Sequence, residues 1–475
     1  MSEKENRTRL TVIGAGPGGY GAAFLASDLG MDVTLIDPEP NPGGVCLYRG
    51  CIPTKTLLHL AKIIRETEKV REWGVGFSRP EIDIDKIRQW KDNVVQKLTG
   101  GLGYLCKQRK ITTIRGKARF LDPHTVEIHK MDGSFDKLSF DYAILATGAH
   151  PAALPDISFD YSRILDSSKA LELESIPESL LIVGGGYIGL ELGTFYAALG
   201  TKVSIVEMMP NLLPGADQDL VRVFSRTAEK LFESIMLNTM VSGIVREKNG
   251  VKVEFKKQDG TTEEGFYEKI LVTIGRKPNS SGLGLENTNV GIDKRGFVKV
   301  NDQRCTKEPS IYAVGDVIGG PLLAHKATRE GRVAVEAIAG HKVKFTPRAI
   351  PAVLFTDPEI ARCGLTETEA REKNLKVKIL RFPWAASGRA ATMGQTDGLT
   401  KFIVDFDTEK ILGVGIVGSG AGELISEGAL AVESGALISD VAATIHPHPT
   451  LSETLMEAAE AFYGQSTHIY HPIRK

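Results

Sequence analysis

Two cysteines carry the first chemical signal in this chain. Cys46 and Cys51 lie in GGVCLYRGCIPTKTLLHLAKII, separated by four residues, close enough to form a disulfide across a turn that enters a helix. Pro53 suits a first helical turn, where no amide donor is needed. Cys51 then falls at a helix N-terminus, whose partial positive charge favours a thiolate. Glycines on both sides and a neighbouring nucleotide-binding pattern point to a redox-active pair beside a flavin; two inert packed cysteines are the alternative. Cys106, Cys305 and Cys363 stand alone and read as structural, and no metal-ligand spacing appears.

A second candidate is TIHPHPTLSETL, which holds His446, His448 and Glu453. A histidine five residues before a glutamate has the makings of a base whose second ring nitrogen is oriented by a carboxylate, the arrangement that deprotonates a thiol. The run from Thr450 to Glu453 also matches a helix capping box, and spacing alone favours that cap. It also leaves open which imidazole is the base. Lys55, on the helix after Cys51, and Glu191, on a later helix, read individually as ordinary surface charges.

The elements around these residues form a repeat. A short apolar strand at 10–13 leads into GAGPGG, a helix to about 29, and a second strand that ends in Asp37. The same unit recurs at 179–183, with GGGYIG, a helix to about 199, and a strand ending in Glu207. From Gly14 to Asp37 and from Gly184 to Glu207 the spacing is 23 residues, and the two units are offset by 170. Gly14, Gly16 and Gly19, and again Gly184, Gly186 and Gly189, fit G-x-G-x-x-G between strand and helix, the βαβ fingerprint of a dinucleotide site. The first glycine makes the turn, the second lets backbone approach a pyrophosphate, and the third lets helix pack on strand; the terminal carboxylate meets the ribose hydroxyls. Two dinucleotides on one chain imply electron transfer between them. At the second site Glu207 is followed by Met208 and Met209 with no arginine nearby, which favours NAD over NADP.

Further strands at 142–147, 270–275 and 311–315, with a helix at about 323–339, suggest that the first domain is interrupted by the second. Prolines at 151–155 and 347–351 mark linkers. Strands at 399–405 and 411–417, with helices near 422–434 and 451–463, suggest an α+β C-terminal domain.

Composition narrows the class. The chain has 475 residues, enough for about three domains. Hydrophobic residues at 42% and charged residues at 25% are ordinary globular usage, so a disordered or fibrous protein is excluded. Lysine plus arginine is 58 against 59 acidic residues, so nothing advertises nucleic acid or an anionic membrane. No apolar run reaches the ~18 residues of a spanning helix. The start, MSEKENRTR, does not read as a signal peptide, and five cysteines do not make a secreted disulfide framework, so the cytoplasm is expected.

Taken in order, GGVCLYRGCIPTK, GGGYIGLE, the GRKPN segment from Gly275, YAVGD, LLAHKA, FPWAASGRA and HPHPTLSE resemble the pyridine nucleotide-disulfide oxidoreductases across nearly the whole chain, and within them the members that oxidise dihydrolipoamide. The last two motifs lie outside any nucleotide-binding pattern. The resemblance implies an α/β fold with two Rossmann-like domains and a C-terminal α+β dimerisation domain. Residues 1–150 and 276–346 would bind FAD, 151–275 would bind NAD, and 347–475 would form the interface of a homodimer. It implies FAD near Gly14, Gly16, Gly19, Asp37, Lys55, Gly116, Gly148, Asp316 and Ala324, and NAD near Gly184, Gly186, Gly189, Glu207 and Gly275. Cys51 would face the flavin, Cys46 would exchange with the substrate disulfide, and Lys55 and Glu191 would form an ion pair near the flavin. His448 would be the base and Glu453 its orienting carboxylate, supplied by the other subunit. The implied activity is oxidation of protein-bound dihydrolipoamide with NAD as acceptor. The implied partners are lipoyl domains and the acyltransferase core of a 2-oxoacid dehydrogenase complex, or the glycine cleavage lipoyl protein.

Two departures stand out. Tyr48 and Arg49 lie between the cysteines where the family commonly has asparagine, so a ring could narrow access or a guanidinium depress a thiol pKa. Asp37 replaces a more usual glutamate, which would weaken FAD retention if the missing methylene matters. A glutathione-type reductase would want NADPH-binding arginines after Glu207. A mercuric reductase would want a cysteine pair near the C-terminus, and none follows Cys363. A docking subunit with secondary redox activity is the alternative from another class.

Overall fold

The computed structural model describes residues 7–155 and 157–470, so most of the N-terminal stretch read above for a leader lies outside it. The strand Arg7–Ile13 sits in the middle of the first sheet, parallel to Val33–Asp37 on one side and to Phe135–Leu145 on the other. Thr112–Asp122 extends the sheet beyond Val33–Asp37, and Ile311–Ala313 extends it beyond Phe135–Leu145. Leu10, Thr11 and Val12 are all fully buried, because helices or neighbouring strands cover both faces of a parallel sheet. The chain leaves this sheet after Leu145 and returns only at Ile311.

Between those points lies a second parallel sheet, ordered Ser234–Met236, Lys202–Val206, Ser179–Val183, Lys269–Val272 and Ile164–Leu165. A three-stranded antiparallel sheet, Thr239–Glu247, Gly250–Lys257 and Thr262–Tyr267, packs beside it. Ala149–Pro151 pairs with Arg276–Pro278 where the chain enters and leaves this region. The final third of the chain forms a five-stranded antiparallel sheet, Ala352–Leu354, Glu359–Gly364, Ile411–Gly418, Leu399–Asp405 and Val377–Pro383, with the helices Ala421–Ser434 and Glu453–Glu460 packed in its core.

One hydrophobic core ties these layers to the chemistry. Leu57, Leu58, Ala61 and Ile64, on the helix Cys51–Lys69, pack with Leu190 and Leu192 of the helix Tyr187–Ala198 and with Ile360 and Val417 of the C-terminal sheet. The helix Ala324–Ile338 lies against Pro17–Asp28 closely enough that a Cβ on Gly331 would fall 2.5 Å from the Gly18 carbonyl oxygen. Sequence periodicity did not reveal the 25-residue helix Ile84–Gln108, because it presents Trp90, Leu98, Tyr104 and Leu105 to solvent as well as burying Val95 and Cys106.

Candidate active site

The two glycine-rich turns are built alike down to single hydrogen bonds. The Gly14 amide donates to the Ile36 carbonyl at 2.8 Å, and the Gly184 amide to the Val206 carbonyl at 2.8 Å. Asp37 accepts from the Ala15 amide at 2.6 Å and the Glu39 amide at 2.9 Å; Glu207 accepts from the Gly185 amide at 2.7 Å and the Met209 amide at 2.8 Å. The outer glycines are required by packing. A Cβ on Gly14 would lie 2.3 Å from the Ala146 oxygen, one on Gly19 1.8 Å from the Gly14 oxygen, and one on Gly189 2.5 Å from the Gly184 oxygen. The middle glycines differ, since a Cβ on Gly16 would have its nearest neighbour 3.9 Å away and one on Gly186 would meet nothing within 4 Å. Each middle position leaves backbone open, as a pyrophosphate at close range requires.

The first turn opens into a cavity of about 710 Å³, a size suited to an organic cofactor. Gly14, Gly16, Asp37, Gly116, Gly148, Asp316 and Ala324 line it, together with Cys46, Cys51, Lys55 and Glu191. Four of the longer helices begin at this cavity, with Pro17, Cys51, Tyr187 and Ala324 as their first residues. Their orphan amides create positive potential that suits both a pyrophosphate and a thiolate. Burial pushes Asp37 up from its ordinary value, opposed by the Ala15 amide and Arg49. Burial also raises Asp316, opposed by Arg276 and Lys326. Gly184, Gly186, Gly189, Glu207 and Gly275 lie outside this cavity, around the second turn.

Cys46 sits on the short helix Gly44–Arg49 and Cys51 opens the next helix, with Gly50 between them. Gly44 has φ +56° and approaches the first turn so closely that a Cβ would fall 2.5 Å from Gly16 Cα, which locks the cysteine segment onto the nucleotide turn. Both cysteines are free thiols. A hydrogen bond from Cys46 brings Cys51 down to about 7; the Lys55 ammonium assists, and burial and Glu191 oppose. Cys46 moves far upward through the same hydrogen bond and burial. The surroundings thus favour ionisation of Cys51 over that of Cys46. Tyr48 turns its hydroxyl to the Asn41 carbonyl at 3.0 Å, and Arg49 pairs with Glu39, so Arg49 is not what lowers Cys51.

Lys55 Nζ bonds Glu191 Oε2 at 2.7 Å and Oε1 at 2.9 Å, joining the cysteine helix to the helix after the second turn. Glu191 is only 2% exposed, so this is a sequestered ion pair, unlike the surface charges that prior expectation gives these residues singly. From the C-terminal region the Phe355 amide donates to Glu191 Oε1 at 3.0 Å, and the Lys55 ammonium lies 4.7 Å from the centre of the Phe355 ring. Tyr187, Arg276 and Phe355 frame this part of the molecule, and the reading of sequence alone assigned none of them; only the adjacency of Tyr187 to Gly186, and of Arg276 to Gly275, hinted at the first two.

His448 and Glu453 lie away from the cavity in their own chain. His448 Nδ1 meets Glu453 Oε1 at 2.8 Å, and the acceptor carboxylate leaves the proton on Nδ1 and the lone pair on Nε2. The His448 side chain is 74% exposed. Despite its partial burial, the Glu453 carboxyl is held below its ordinary value by the Thr450 amide, which donates at 2.7 Å, and by His448. The expected capping box does not form: the helix starts at Glu453 with Ser452 as its N-cap and no side-chain cap, and the Thr450 hydroxyl turns to Pro447 and Ser452, so the Glu453 carboxylate serves the Thr450 amide and His448. His446 is a different kind of residue. Its side chain is 3% exposed and both ring nitrogens are engaged at 2.9 Å, by the Thr444 carbonyl and Glu427.

Comparison with known proteins shows the family of the chain. A family model described as pyridine nucleotide-disulphide oxidoreductase matches residues 8–331, and one for the dimerisation domain of the same family matches 350–459. The dihydrolipoyl dehydrogenases of Vibrio cholerae serotype O1 and Haemophilus influenzae are 44% and 45% identical, over 98% of this chain and 97% of each relative. That of Thermus scotoductus is 45% identical over 97% of this chain and 98% of its own. Among solved structures, LpdA of Mycobacterium tuberculosis superposes with a TM-score of 0.89 at 28% identity, covering 96% of this chain and 99% of the other. The HOCl-induced flavoprotein disulfide reductase RclA of Escherichia coli follows with a TM-score of 0.85 at 27% identity, covering 96% and 99%.

Proposed function

The chain belongs to the pyridine nucleotide-disulphide oxidoreductase family, and from that premise we propose that it oxidises protein-bound dihydrolipoamide to lipoamide, with FAD on the first glycine turn and NAD on the second. The observation that carries the reading is the cysteine pair, Cys46 and Cys51, at the wall of a dinucleotide-sized cavity beside the Lys55–Glu191 ion pair. Substrate choice is supported by the relatives, since the dihydrolipoyl dehydrogenases are about 44% identical and the disulfide reductase RclA only 27%.

The residues present fit FAD. Gly16 and Gly148 offer backbone without neighbouring side chains, four helix N-termini converge, and Asp37 supplies a ribose carboxylate already held by two amides. Bound there, FAD supplies a two-electron relay between the cysteine pair and NAD. The chain's own residues do the rest. The partner subunit's His448 takes a proton from dihydrolipoamide, and the resulting thiolate attacks Cys46, breaking the Cys46–Cys51 disulfide. The second substrate thiol then gives up its proton as its sulfur displaces Cys46, which leaves as a thiol, so that lipoamide is released with both cysteines reduced. Lys55, fixed by Glu191, keeps Cys51 ionised beside the flavin. At the second turn Glu207 accepts a free 2′-hydroxyl and repels a 2′-phosphate, which favours NAD over NADP.

The dimerisation domain supports a homodimer, in which residues 1–150 with 276–346 bind FAD, 151–275 bind NAD and 347–475 pair. Among the described residues no helix is long and apolar enough to cross a membrane. The proposed setting is the cytoplasm, with lipoyl domains of a 2-oxoacid dehydrogenase or glycine cleavage complex as partners. Replacing Cys46 or Cys51 by serine is expected to abolish NADH formation from dihydrolipoamide while the purified protein keeps its yellow FAD. Retained turnover in either variant refutes the assignment, and wild-type protein that forms no NADH supports a docking role instead.

A further inference from the structure

A buried charge cluster with no part in the chemistry above joins the second nucleotide-binding region to the C-terminal sheet. Lys401, on the strand Leu399–Asp405, is 0% exposed. Its Nζ bonds Asp217 Oδ2 at 2.8 Å, Asp219 Oδ1 at 2.9 Å and Glu367 Oε1 at 2.6 Å. Arg381, on the neighbouring strand, pairs with Asp219 at 2.7 Å and with Glu367, and the Glu367 amide donates to Asp217 Oδ1 at 2.9 Å. Asp217 and Asp219 begin the helix Gln218–Leu231, whereas Glu367, Arg381 and Lys401 all belong to the C-terminal region. The ammonium occupies the centre of the three carboxylates, so Lys401 is itself the cation of the cluster.

A buried network of this kind is weak evidence for net stability, because desolvation offsets the Coulomb gain; fixing one relative placement is its better-attested use. What this one places is specific. The segment 208–217 runs from Glu207 to the cluster. Within it the Leu213 amide donates to the Gly185 carbonyl at 3.0 Å, and Leu212 lies under the second turn, where a Cβ on Gly185 would fall 2.7 Å from its Cδ2. The Gly185 amide in turn holds Glu207 at 2.7 Å. Beyond the cluster, Leu220 presses on the strand Ile411–Gly418 at Gly415, where a Cβ would lie 2.7 Å from its Cδ1. One end of the segment is bonded to the glycine turn and the other to the C-terminal sheet.

We propose that Lys401 is a positioning residue for the NAD site. By anchoring Asp217 it fixes the segment that presses Leu212 and Leu213 onto Gly185, and so holds the Gly185 amide on Glu207 in the geometry that receives the adenosine ribose. This inference rests on the reading of the second turn as the NAD site.

The test uses the FAD-loaded dimer and two readouts, equilibrium binding of NAD by calorimetry and reduction of the cysteine pair by dihydrolipoamide without NAD. Lys401→Met and Asp217→Asn are expected to weaken NAD binding about 3- to 30-fold, the range that coupling through packed contacts carries. KM for NAD rises in parallel, the dihydrolipoamide step is unchanged, and Lys401→Arg recovers most of the affinity. Asp217→Asn leaves Lys401 with two carboxylates and serves where Lys401→Met does not fold. Wild-type NAD affinity in Asp217→Asn, or equal losses in both readouts, overturns the inference. Wild-type protein that binds no NAD overturns the parent reading and this inference with it.

Discussion

Exchanging Lys55 for methionine isolates the electrostatics of the cysteine pair. Lys55 is four residues after Cys51 on one helix, hence a facing neighbour, and it is among the groups that bring the Cys51 thiol down to about 7. An opposite charge at such range is worth about 1–3 pKa units, and partial exposure of Lys55 argues for the lower end. Lys55→Met is therefore expected to move Cys51 from about 7 to ~8, about 1.4 kcal/mol against the thiolate. At pH 7 the ionised fraction falls from about one half to roughly a tenth, and alkylation by iodoacetamide slows about fivefold. The assay follows that rate against pH for the Cys51 peptide by mass spectrometry, in a Cys46→Ser background whose hydroxyl still donates to Cys51. Reaction is fast above the midpoint, where the thiolate dominates, and dies away below it. Glu191→Gln must shift the midpoint the other way, because Glu191 raises Cys51. An unmoved midpoint in Lys55→Met, or shifts of the same sign in both variants, refutes the reasoning.

Two further outcomes follow from the geometry. His448→Gln is expected to lower steady-state NADH formation by about 10²–10⁴, the usual worth of a general base, whereas His446→Gln should lower the melting temperature more than turnover because both of its ring nitrogens serve the fold. Gly44→Ala places a Cβ 2.5 Å from Gly16 Cα at φ +56°, so we expect a loss of about 1–3 kcal/mol in thermal denaturation and a lower ratio of flavin to protein absorbance after purification.

What was legible in the sequence was what is local. The strand Ser179–Val183 and the strand Leu399–Asp405 coincide with the runs read from hydrophobic pattern, and the helix starts at Pro17 and Tyr187 lie where the glycine turns place them. The hydrogen bonds on Asp37 and Glu207 repeat because the sequence repeats, glycine for glycine and acid for acid. Contacts made across long separations had no such signature. Lys55 and Glu191 are 136 residues apart, and Phe355, a further 164 along, bonds the same carboxylate. The Lys401 cluster draws on four separate segments, each of which reads alone as a polar surface stretch. Glu427, which engages His446, lies 19 residues upstream, and no local pattern connects it to either histidine.

The asymmetry of the two thiols gives the proposed reaction its direction. In thiol–disulfide exchange the sulfur with the lower pKa leaves faster. Cys51 opens the helix Cys51–Lys69 with the Lys55 ammonium one turn on, and both favour its thiolate, so in the proposed reaction a substrate thiolate attacks Cys46 and expels Cys51 at the cavity wall. The second displacement must expel Cys46, whose environment raises its pKa and makes it a poor anionic leaving group. It therefore needs a proton at that moment. A histidine can give Cys46 the proton it took in the first step and take that of the second substrate thiol in its place, through an Nε2 left available because Glu453 holds the other nitrogen. The proposed roles then fit together, with Cys46 as the exchanging sulfur, Cys51 as the one that stays ionised beside FAD, and an imidazole delivered to the substrate side. His448 is exposed and does not line the cavity of its own chain, so the proposed role requires the imidazole of the partner subunit.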